Sequence, residues 1–198
     1  GDDEFGCFPG LPWVAAHYLP NDFDSTILSH LPLIRATEAW DLEKGSEDIT
    51  IAIIDNGVLT THKDLQANLW INPQEIPGDS MDNDANGYID DIHGYDFANG
   101  DGDPMDGHSH GTHCAGTIGA SHNNNEGISG VMAEVSLVAV KFLTDAGSGT
   151  TENAIKSIDY ATKVGVDLMS NSWGGGGFSQ ALKDSIQRAS DAGIIFTA

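Results

Sequence analysis

The chain has 198 residues, which is enough for one sizeable hydrophobic core and hardly enough for two. It carries 30 Asp and Glu residues against 8 Lys and Arg residues, a formal net charge of -22 at pH 7. This charge argues against binding to nucleic acid or to an anionic membrane surface, because both would repel the chain. Between Lys63 and Lys141 there is no Lys or Arg. The carboxylates in that stretch are therefore expected to bind metal ions or to face water.

After an irregular, proline-containing beginning over residues 1 to about 47, the predicted elements alternate between strand and helix. The continuous apolar run at 49–54 predicts a strand that is buried on both faces of a sheet. Further strands are predicted at 135–143, 167–170 and 194–198, and helices at 34–40, from His110, at 151–164 and after Ser179. This alternation predicts an α/β fold with a parallel sheet between helices. Nothing follows the last predicted strand, which leads us to expect an incomplete domain.

Two short motifs carry the residues best suited to catalysis. In IAIIDNGV, Asp55 stands at the carboxyl end of a predicted buried strand, where open α/β sheets bind their ligands. In HSHGTHCAGTIGA, His110 stands at the start of a predicted helix whose small residues allow close approach. A histidine changes protonation near neutral pH, as general-base chemistry requires. Together the two residues predict part of a charge-relay set, in which the carboxylate orients the imidazole.

The acidic stretch 82–91, DNDANGYIDD, matches the first nine positions of an EF-hand-type calcium loop, with glycine at the sixth position. Its expected oxygen ligands are Asp82, Asp84, Asn86, Tyr88 and Asp90. Position 12 is His93 rather than Glu, so the closing bidentate ligand must come from elsewhere, and Asp91 is a candidate. The alternative interpretation is an acidic turn that faces water.

IAIIDNGV at 51–58 and HGTHCAGT at 110–117 closely resemble the Asp and His signatures of the subtilisin-like serine peptidases, the subtilases. HKDL at 62–65 resembles the family's H-P-D-L, and GVMA at 130–133 resembles its G-V-A-P without the proline. SWGG at 172–175 is similar to the strand that ends in S-x-G-G. The resemblance, closest to the proteinase K and subtilisin type, implies a three-layer α/β fold and serine endopeptidase activity. The chain would then be the N-terminal portion of one catalytic domain, with an N-terminal extension at 1–17 and an acidic calcium-binding insertion at 72–107.

The resemblance also implies roles for the matching residues. Asp55 would orient His110, which would act as general acid and base. An extended polypeptide substrate would lie between two stretches of backbone, formed by Gly147, Ser148, Gly149, Ser172, Trp173 and Gly174. A second calcium site would use the side chains of Asp64 and Asn124 and the backbone carbonyls of His122, Glu126 and Ile128. The N-terminal ligand of that second site is not identified from the sequence.

Two parts of a subtilase site have no counterpart in these residues: the Asn that binds the oxyanion and the serine of the family's G-T-S-M-A motif. We therefore expect the chain alone to be inactive, and to need a C-terminal segment of the same enzyme as its partner. A propeptide or a proteinaceous inhibitor is a further expected partner, and the expected location is outside the cell. The alternative hypothesis is a truncated subtilase module that binds calcium or peptide without catalysis.

Overall fold

The computed structural model describes residues 18–198 and contains one five-stranded sheet with the strand order β2-β3-β1-β4-β5. The strands are β1 (Gly45–Asp55), β2 (Gly94–Asp96), β3 (Glu134–Lys141), β4 (Leu168–Ser170) and β5 (Ile195–Thr197). The helices are α1 (His30–Leu33), α2 (Ala36–Ala39), α3 (His110–Gly119), α4 (Thr151–Val164) and α5 (Gln180–Asp191). All neighbouring strands pair in parallel, which confirms the predicted α/β class.

The central strand β1 is buried on both faces because its side chains alternate between two hydrophobic cores. Ile51 and Ile53 point into the core that also contains Ala115 of α3. Ala52 and Ile54 point into the opposite core, beneath α4 and α5. The sheet therefore lies between two layers of helices. The carboxyl end of β1 lies at the middle of one edge of the sheet.

Helices α4 and α5 begin at side-chain caps. The hydroxyl of Thr150 accepts a hydrogen bond from the backbone N–H of Asn153 at 3.1 Å, and the hydroxyl of Ser179 accepts one from Leu182 at 3.3 Å. Helix α4 ends at Gly165, whose φ of +83° suits glycine. The predicted helix at 151–164 and the predicted start after Ser179 are thus confirmed.

Short elements are where the structure departs from the sequence prediction. The turn of helix α1 contains Pro32, in a region expected to be irregular. Strand β2 lies inside the segment expected to be loop, and its three residues are too few to show a periodicity. Strand β1 begins at Gly45 instead of Ile49 because Gly45 pairs with Glu134 across a register shift.

The predicted N-terminal extension, residues 1–17, lies outside the described residues. The segment 72–107 consists of turns and bends around β2, so its predicted loop character is largely confirmed. Among residues 18–198, no helix is long and apolar enough to cross a membrane.

Candidate active site and acidic metal-binding loops

Asp55 and His110 meet at the carboxyl edge of the sheet. Asp55 is the last residue of β1 and is 1 % exposed. Nδ1 of His110 lies 2.8 Å from Oδ1 and 2.9 Å from Oδ2 of the Asp55 carboxylate. An ionised carboxylate can only accept hydrogen bonds, so Nδ1 donates and Nε2 keeps its lone pair. The imidazole is half exposed, whereas the carboxylate that it contacts is buried. The pair therefore places a histidine nitrogen at the surface.

Close backbone packing fixes the helix that carries His110. The side-chain oxygen of Asn56 accepts a hydrogen bond from the N–H of Gly111 at 2.8 Å. A Cβ atom at position 111 would lie 2.1 Å from the carbonyl oxygen of Gly57, so only glycine fits there. This contact explains why the motif needs glycine directly after the histidine, as the sequence suggested.

The start of α3 is capped by Asp106 rather than by the preceding Ser109. The Asp106 carboxylate accepts hydrogen bonds from the N–H groups of His108 (2.7 Å), Ser109 (2.8 Å) and Thr112 (3.0 Å). Burial raises the pKa of this carboxyl, but the hydrogen bonds from Thr112, His108 and Ser109 outweigh burial and bring the pKa below its usual value. Ser109 has a φ of +87°, a conformation that costs an L-residue roughly 1–2 kcal/mol. The turn before His110 is therefore held in a strained shape by Asp106.

Cys114 lies one helical turn after His110 and is free. Its sulfur is 4.0 Å from Nδ1 of the imidazole. Burial raises the pKa of this thiol, and the charge of Asp55 raises it further, against a hydrogen bond from Ser172 that lowers it. The thiol is thus kept in its neutral form. It contacts the imidazole but does not have the character of a nucleophile.

The two predicted substrate-binding stretches flank Asp55. Strand β1 pairs with β3 on one side, where Asp55 is in register with Lys141, and with β4 on the other. The N–H groups of Phe142 and Leu143 both donate to the Asp55 carbonyl, at 3.0 and 3.2 Å. The stretches that follow β3 and β4 leave the sheet at the same edge, so the structure brings the stretches 147–149 and 172–174 to either side of the Asp–His pair.

Both stretches lie outside the strands of the sheet and are exposed except for Trp173, which is half-buried. A Cβ atom at Gly149 would lie 2.7 Å from the carbonyl oxygen of Phe142, whereas one at Gly174 would meet nothing. The carbonyl of Ser148 accepts a hydrogen bond from the Thr144 N–H, which closes the turn before Gly149. Trp173 packs edge-on against Phe142, with ring centroids 4.8 Å apart. This ring contact links the stretch 172–174 to the end of β3, from which the chain leads to the stretch 147–149.

Three carboxylates converge in the acidic insertion. Oxygens of Glu75, Asp82 and Asp84 lie within 4.8 Å of one another. In the described part of the chain, no Lys or Arg forms an ion pair with them. Oxygens around one calcium ion, each about 2.3–2.6 Å from it, have separations of this size. The donor set is of the kind that a hard divalent cation binds, and it includes Glu75, which the sequence did not indicate.

The remaining predicted ligands of this loop have different positions. The Asp90 carboxylate accepts hydrogen bonds from the N–H groups of Gly78 and Ser80, so the structure does not bring it to the three carboxylates. Asp91 is fully buried, and burial raises its pKa against hydrogen bonds from Tyr160, Asn86 and Asn72. The amide nitrogen of Asn86 donates to both Asp84 and Asp91. These side chains stabilise the loop through hydrogen bonds to its other residues.

Tyr88 is among the expected ligands of this loop, and in the structure its side chain makes aromatic contacts. Its ring packs edge-on against Tyr95 and Tyr160, with centroids 4.7 and 5.0 Å apart. Because Tyr160 belongs to α4, the aromatic contacts fasten the acidic loop to the outer helix layer. The hydroxyl of Tyr160 also donates to Asp91 at 2.7 Å.

The second predicted metal loop wraps around Asp64, which is 2 % exposed. Its carboxylate accepts hydrogen bonds from the Asn124 side chain at 2.8 Å and the Ile128 N–H at 2.9 Å. A Cβ atom at Gly127 would lie 2.2 Å from this carboxylate. Asp22 approaches the same loop, accepting hydrogen bonds from the Asn124 N–H at 3.2 Å and the Ser129 hydroxyl at 2.6 Å. Asp22 is thus an acidic residue from the N-terminal part of the described chain that contacts this loop, and the sequence did not indicate it.

The side chains of the backbone ligands predicted in this loop serve other purposes. The imidazole of His122 lies 4.7 Å from the Trp40 ring and contacts the Gly130 carbonyl through Nε2 at 2.8 Å. Burial lowers the pKa of this histidine, so it favours the neutral form. The Glu126 carboxylate pairs with Lys63 at 3.2 Å on the surface. The side chains of His122 and Glu126 thus have contacts of their own, apart from the carbonyl groups predicted to bind the metal.

This fold and this pair of residues define a class of protein. The family model for the subtilases matches residues 46–198, a stretch that includes nearly all of β1, α3 and both predicted substrate-binding stretches. The chain therefore belongs to the subtilase family, which confirms the resemblance drawn from the sequence.

Individual relatives agree with this assignment. The chain is 36 % identical over 169 residues to subtilisin-like protease 1 of Plasmodium berghei (strain Anka), a match covering 84 % of this chain and 28 % of that protein. It is 33 % identical over 182 residues to thermitase of Thermoactinomyces vulgaris, covering 91 % and 57 %. The solved structure of sphericase matches with a TM-score of 0.61 and 28 % identity, covering 78 % and 46 %. The chain thus spans about half or less of the length of these relatives.

Proposed function

We propose that this chain supplies the aspartate, the histidine and most of the substrate-binding backbone of a subtilisin-like serine endopeptidase. The observation that carries the proposal is the pairing of buried Asp55 with half-exposed His110, at 2.8 Å, between two exposed stretches of backbone. Membership of the subtilase family supports the reaction class. The substrate class is polypeptide, bound in extended form.

In the proposed reaction, Nε2 of His110 removes the proton of a serine hydroxyl while the serine oxygen bonds to the carbonyl carbon of the substrate. The same nitrogen then gives that proton to the leaving amine as the carbon–nitrogen bond breaks. Water repeats the two steps on the acyl-enzyme and releases the acid. Asp55 remains ionised throughout, holds the Nδ1 tautomer and stabilises the imidazolium, which its burial makes effective.

Exposed backbone on both sides of Asp55 is suited to an extended peptide. A substrate strand between the stretches 147–149 and 172–174 would form backbone hydrogen bonds to each, as in β-augmentation. Gly149 and Gly174 permit this close approach because they carry no side chain. Trp173, packed on Phe142, would form an apolar wall for one substrate side chain.

The nucleophilic serine and the oxyanion-binding Asn are proposed to come from a segment outside residues 1–198. Among the described residues, the hydrogen-bonding partners of the His110 imidazole are Asp55 and Cys114. A cleft of about 660 Å³ runs beside the start of α3, with apolar walls that include Leu59, Leu65 and Ile128. Its lining includes His108, Thr112 and His113 but not His110, so it offers space for a packed segment beside α3.

Calcium is the proposed metal for both acidic loops. Glu75, Asp82 and Asp84 would hold one ion, and their own repulsion would be relieved by its charge. Asp22, Asp64, Asn124 and carbonyl groups of the loop 122–128 would hold another. Calcium would supply rigidity to loops that flank the active site and would take no part in proton transfer. Such sites suit calcium-rich surroundings, which supports a location outside the cell.

A labelling experiment tests the proposal. The protein in its complete form and the isolated chain 1–198 are each treated with a fluorophosphonate probe and assayed on a fluorogenic peptide. We expect hydrolysis and a labelled serine only in the complete form, and loss of both when His110 is replaced by Ala. A complete form that binds peptide and calcium but is neither labelled nor active would instead establish the non-catalytic module.

A further inference from the structure

Lys141 is a buried cation for which the proposed reaction has no use. It is the last residue of β3, and its side chain is 3 % exposed. Its ammonium group donates to the backbone carbonyl of Met105 at 3.0 Å and to the carboxylate of Asp145. Taking an ammonium group out of water costs several kcal/mol, and an apolar side chain would fill the same space without that penalty. The position therefore calls for an explanation other than core packing.

The two partners of Lys141 belong to the two loops that border the active site. Met105 directly precedes Asp106, which caps the helix that carries His110. Asp145 lies in the turn closed by the Thr144 and Ser148 hydrogen bond, from which the substrate-binding stretch 147–149 emerges. A Cβ atom at Gly107 would lie 2.3 Å from the Asp145 carboxylate, so the two loops are already in tight contact.

The position of Lys141 in the sheet adds to this arrangement. Its backbone is in register with Asp55 on one side and with Asp96 on the other. The ammonium group borders a cavity of about 220 Å³ whose other walls are acidic, including Asp101 and Asp103. A single cation on the central edge of the sheet thus faces several carboxylates and lies between the two loops.

We propose that Lys141 is a positioning residue for peptide hydrolysis: it ties the turn that presents the substrate-binding stretch 147–149 to the loop that caps the histidine helix. The inference rests on the proposed function. Asp145 is 63 % exposed, so core packing does not explain its pairing with the buried ammonium group. What the pair supplies is a fixed distance between the bound peptide and His110, and misplacement by about 1 Å can cost about a hundredfold in rate.

The test uses the complete enzyme with Lys141→Met, which keeps the side-chain length and removes the charge. Lys141→Arg is the conservative variant, and Lys183→Met on the exposed face of α5 is the matched control. Each is assayed on a long peptide that covers the stretch 147–149 and on a small ester that does not. We expect Lys141→Met to raise KM for the long peptide about tenfold and to lower kcat for both substrates, with partial recovery in the Arg variant.

A double-mutant cycle with Asp145→Asn separates positioning from general stability. We expect Lys141→Met combined with Asp145→Asn to be no worse than Lys141→Met alone, because both break the same tie. Equal KM values for the long peptide in wild type and Lys141→Met, with only a lowered Tm, would overturn the inference. If the complete protein cleaves neither substrate, the proposed function fails separately.

Hydrogen exchange decides the inference without any activity. In Lys141→Met we expect faster amide exchange in both 105–109 and 144–149, and unchanged exchange in α5. Faster exchange in one loop only, or in neither, would show that Lys141 does not tie them together. Asp145→Asn, which leaves the buried residue in place, gives the same readout if Lys141→Met does not fold.

Discussion

Carboxylates have different partners in two regions of the molecule. One region is the edge of the sheet that carries Asp55 and His110, and the other is the acidic insertion at 72–107. At the sheet edge, Asp55 is buried and accepts hydrogen bonds from the His110 imidazole and the Asn56 N–H. In the insertion, Glu75, Asp82 and Asp84 converge with one another, and within residues 18–198 no basic side chain forms an ion pair with them. The first arrangement pairs its carboxylate with a side chain of the same chain, whereas in the second, where backbone N–H groups donate to Glu75 and Asp82, we propose an added cation.

The difference teaches which part of the molecule depends on its surroundings. The Asp–His geometry is set by residues adjacent to Asp55 and His110 in the chain, among them Gly111 with its close backbone contact. It should therefore persist when calcium is removed. The insertion is anchored by strand β2, which pairs with β3, and by the hydrogen bond between Asp91 and Tyr160, but the stretch 75–84 that carries the three carboxylates consists of turns and bends. Its shape should therefore follow the calcium concentration, and each prediction below tests one side of this contrast.

The largest expected effect is on catalysis. Asp55→Asn in the complete enzyme should lower kcat by about 10⁴, the size typical of such triads, because an amide at this position favours the wrong imidazole tautomer. Steady-state kinetics on a peptide substrate measures it, with the exposed Asp184→Asn as control. A loss below tenfold would show that Asp55 does not orient His110.

Replacement of Gly111 should disrupt the contact between α3 and the turn that follows β1. Gly111→Ala should destabilise the fold by about 3 kcal/mol, because its Cβ would meet the Gly57 carbonyl at 2.1 Å. Gly116→Ala in the same helix is the matched control, since its nearest atom would be 3.9 Å away. Denaturant unfolding compares the two variants. Equal stability would mean that the close approach of α3 to the β1 turn is not required.

Calcium should stabilise the insertion and leave the Asp–His pair alone. Free calcium at a hundredfold excess over its Kd should add about 2.7 kcal/mol per occupied site to the free energy of unfolding. Glu75→Gln should remove the part of this gain that is due to the insertion, whereas Glu152→Gln, in an exposed pair with Lys156, should keep it. Thermal unfolding with calcium and with excess chelator gives the answer. A chelator that leaves the Tm of the wild type unchanged contradicts the assignment.

The sequence predicts the parts of this molecule that depend on neighbours in the chain. The long helix at 151–164 follows from its capping residues and apolar spacing, and Asp55 and His110 stand in motifs of several adjacent residues. Asp22 and Lys141 were missed because their proposed roles depend on contacts with distant segments, and Glu75 was missed because it lies outside the EF-hand-like pattern at 82–91. Asp22, for example, contacts Asn124 and Ser129, and no local pattern marks it.

The smallest effect concerns the cap of the histidine helix and shows how electrostatics adds to packing at the sheet edge. Asp106→Asn should cost about 1 kcal/mol at neutral pH, because one acceptor oxygen of the cap is lost. The folded pKa of Asp106 lies below its usual value, which is about 3.9 in unfolded chains. The contribution of the carboxylate is therefore complete above about pH 4 and is lost as the pH falls through the folded pKa.

The difference in unfolding free energy between Asp106→Asn and wild type should accordingly shrink below pH 4, where the protonated Asp106 carboxyl resembles the amide. Denaturant unfolding between pH 3 and pH 7 measures it, with Asp184→Asn as the exposed control. A difference that is constant over this range would mean that Asp106 acts by shape alone. The charge at the helix start would then play no part in holding His110, and packing at Gly111 would be sufficient to explain the geometry of the site.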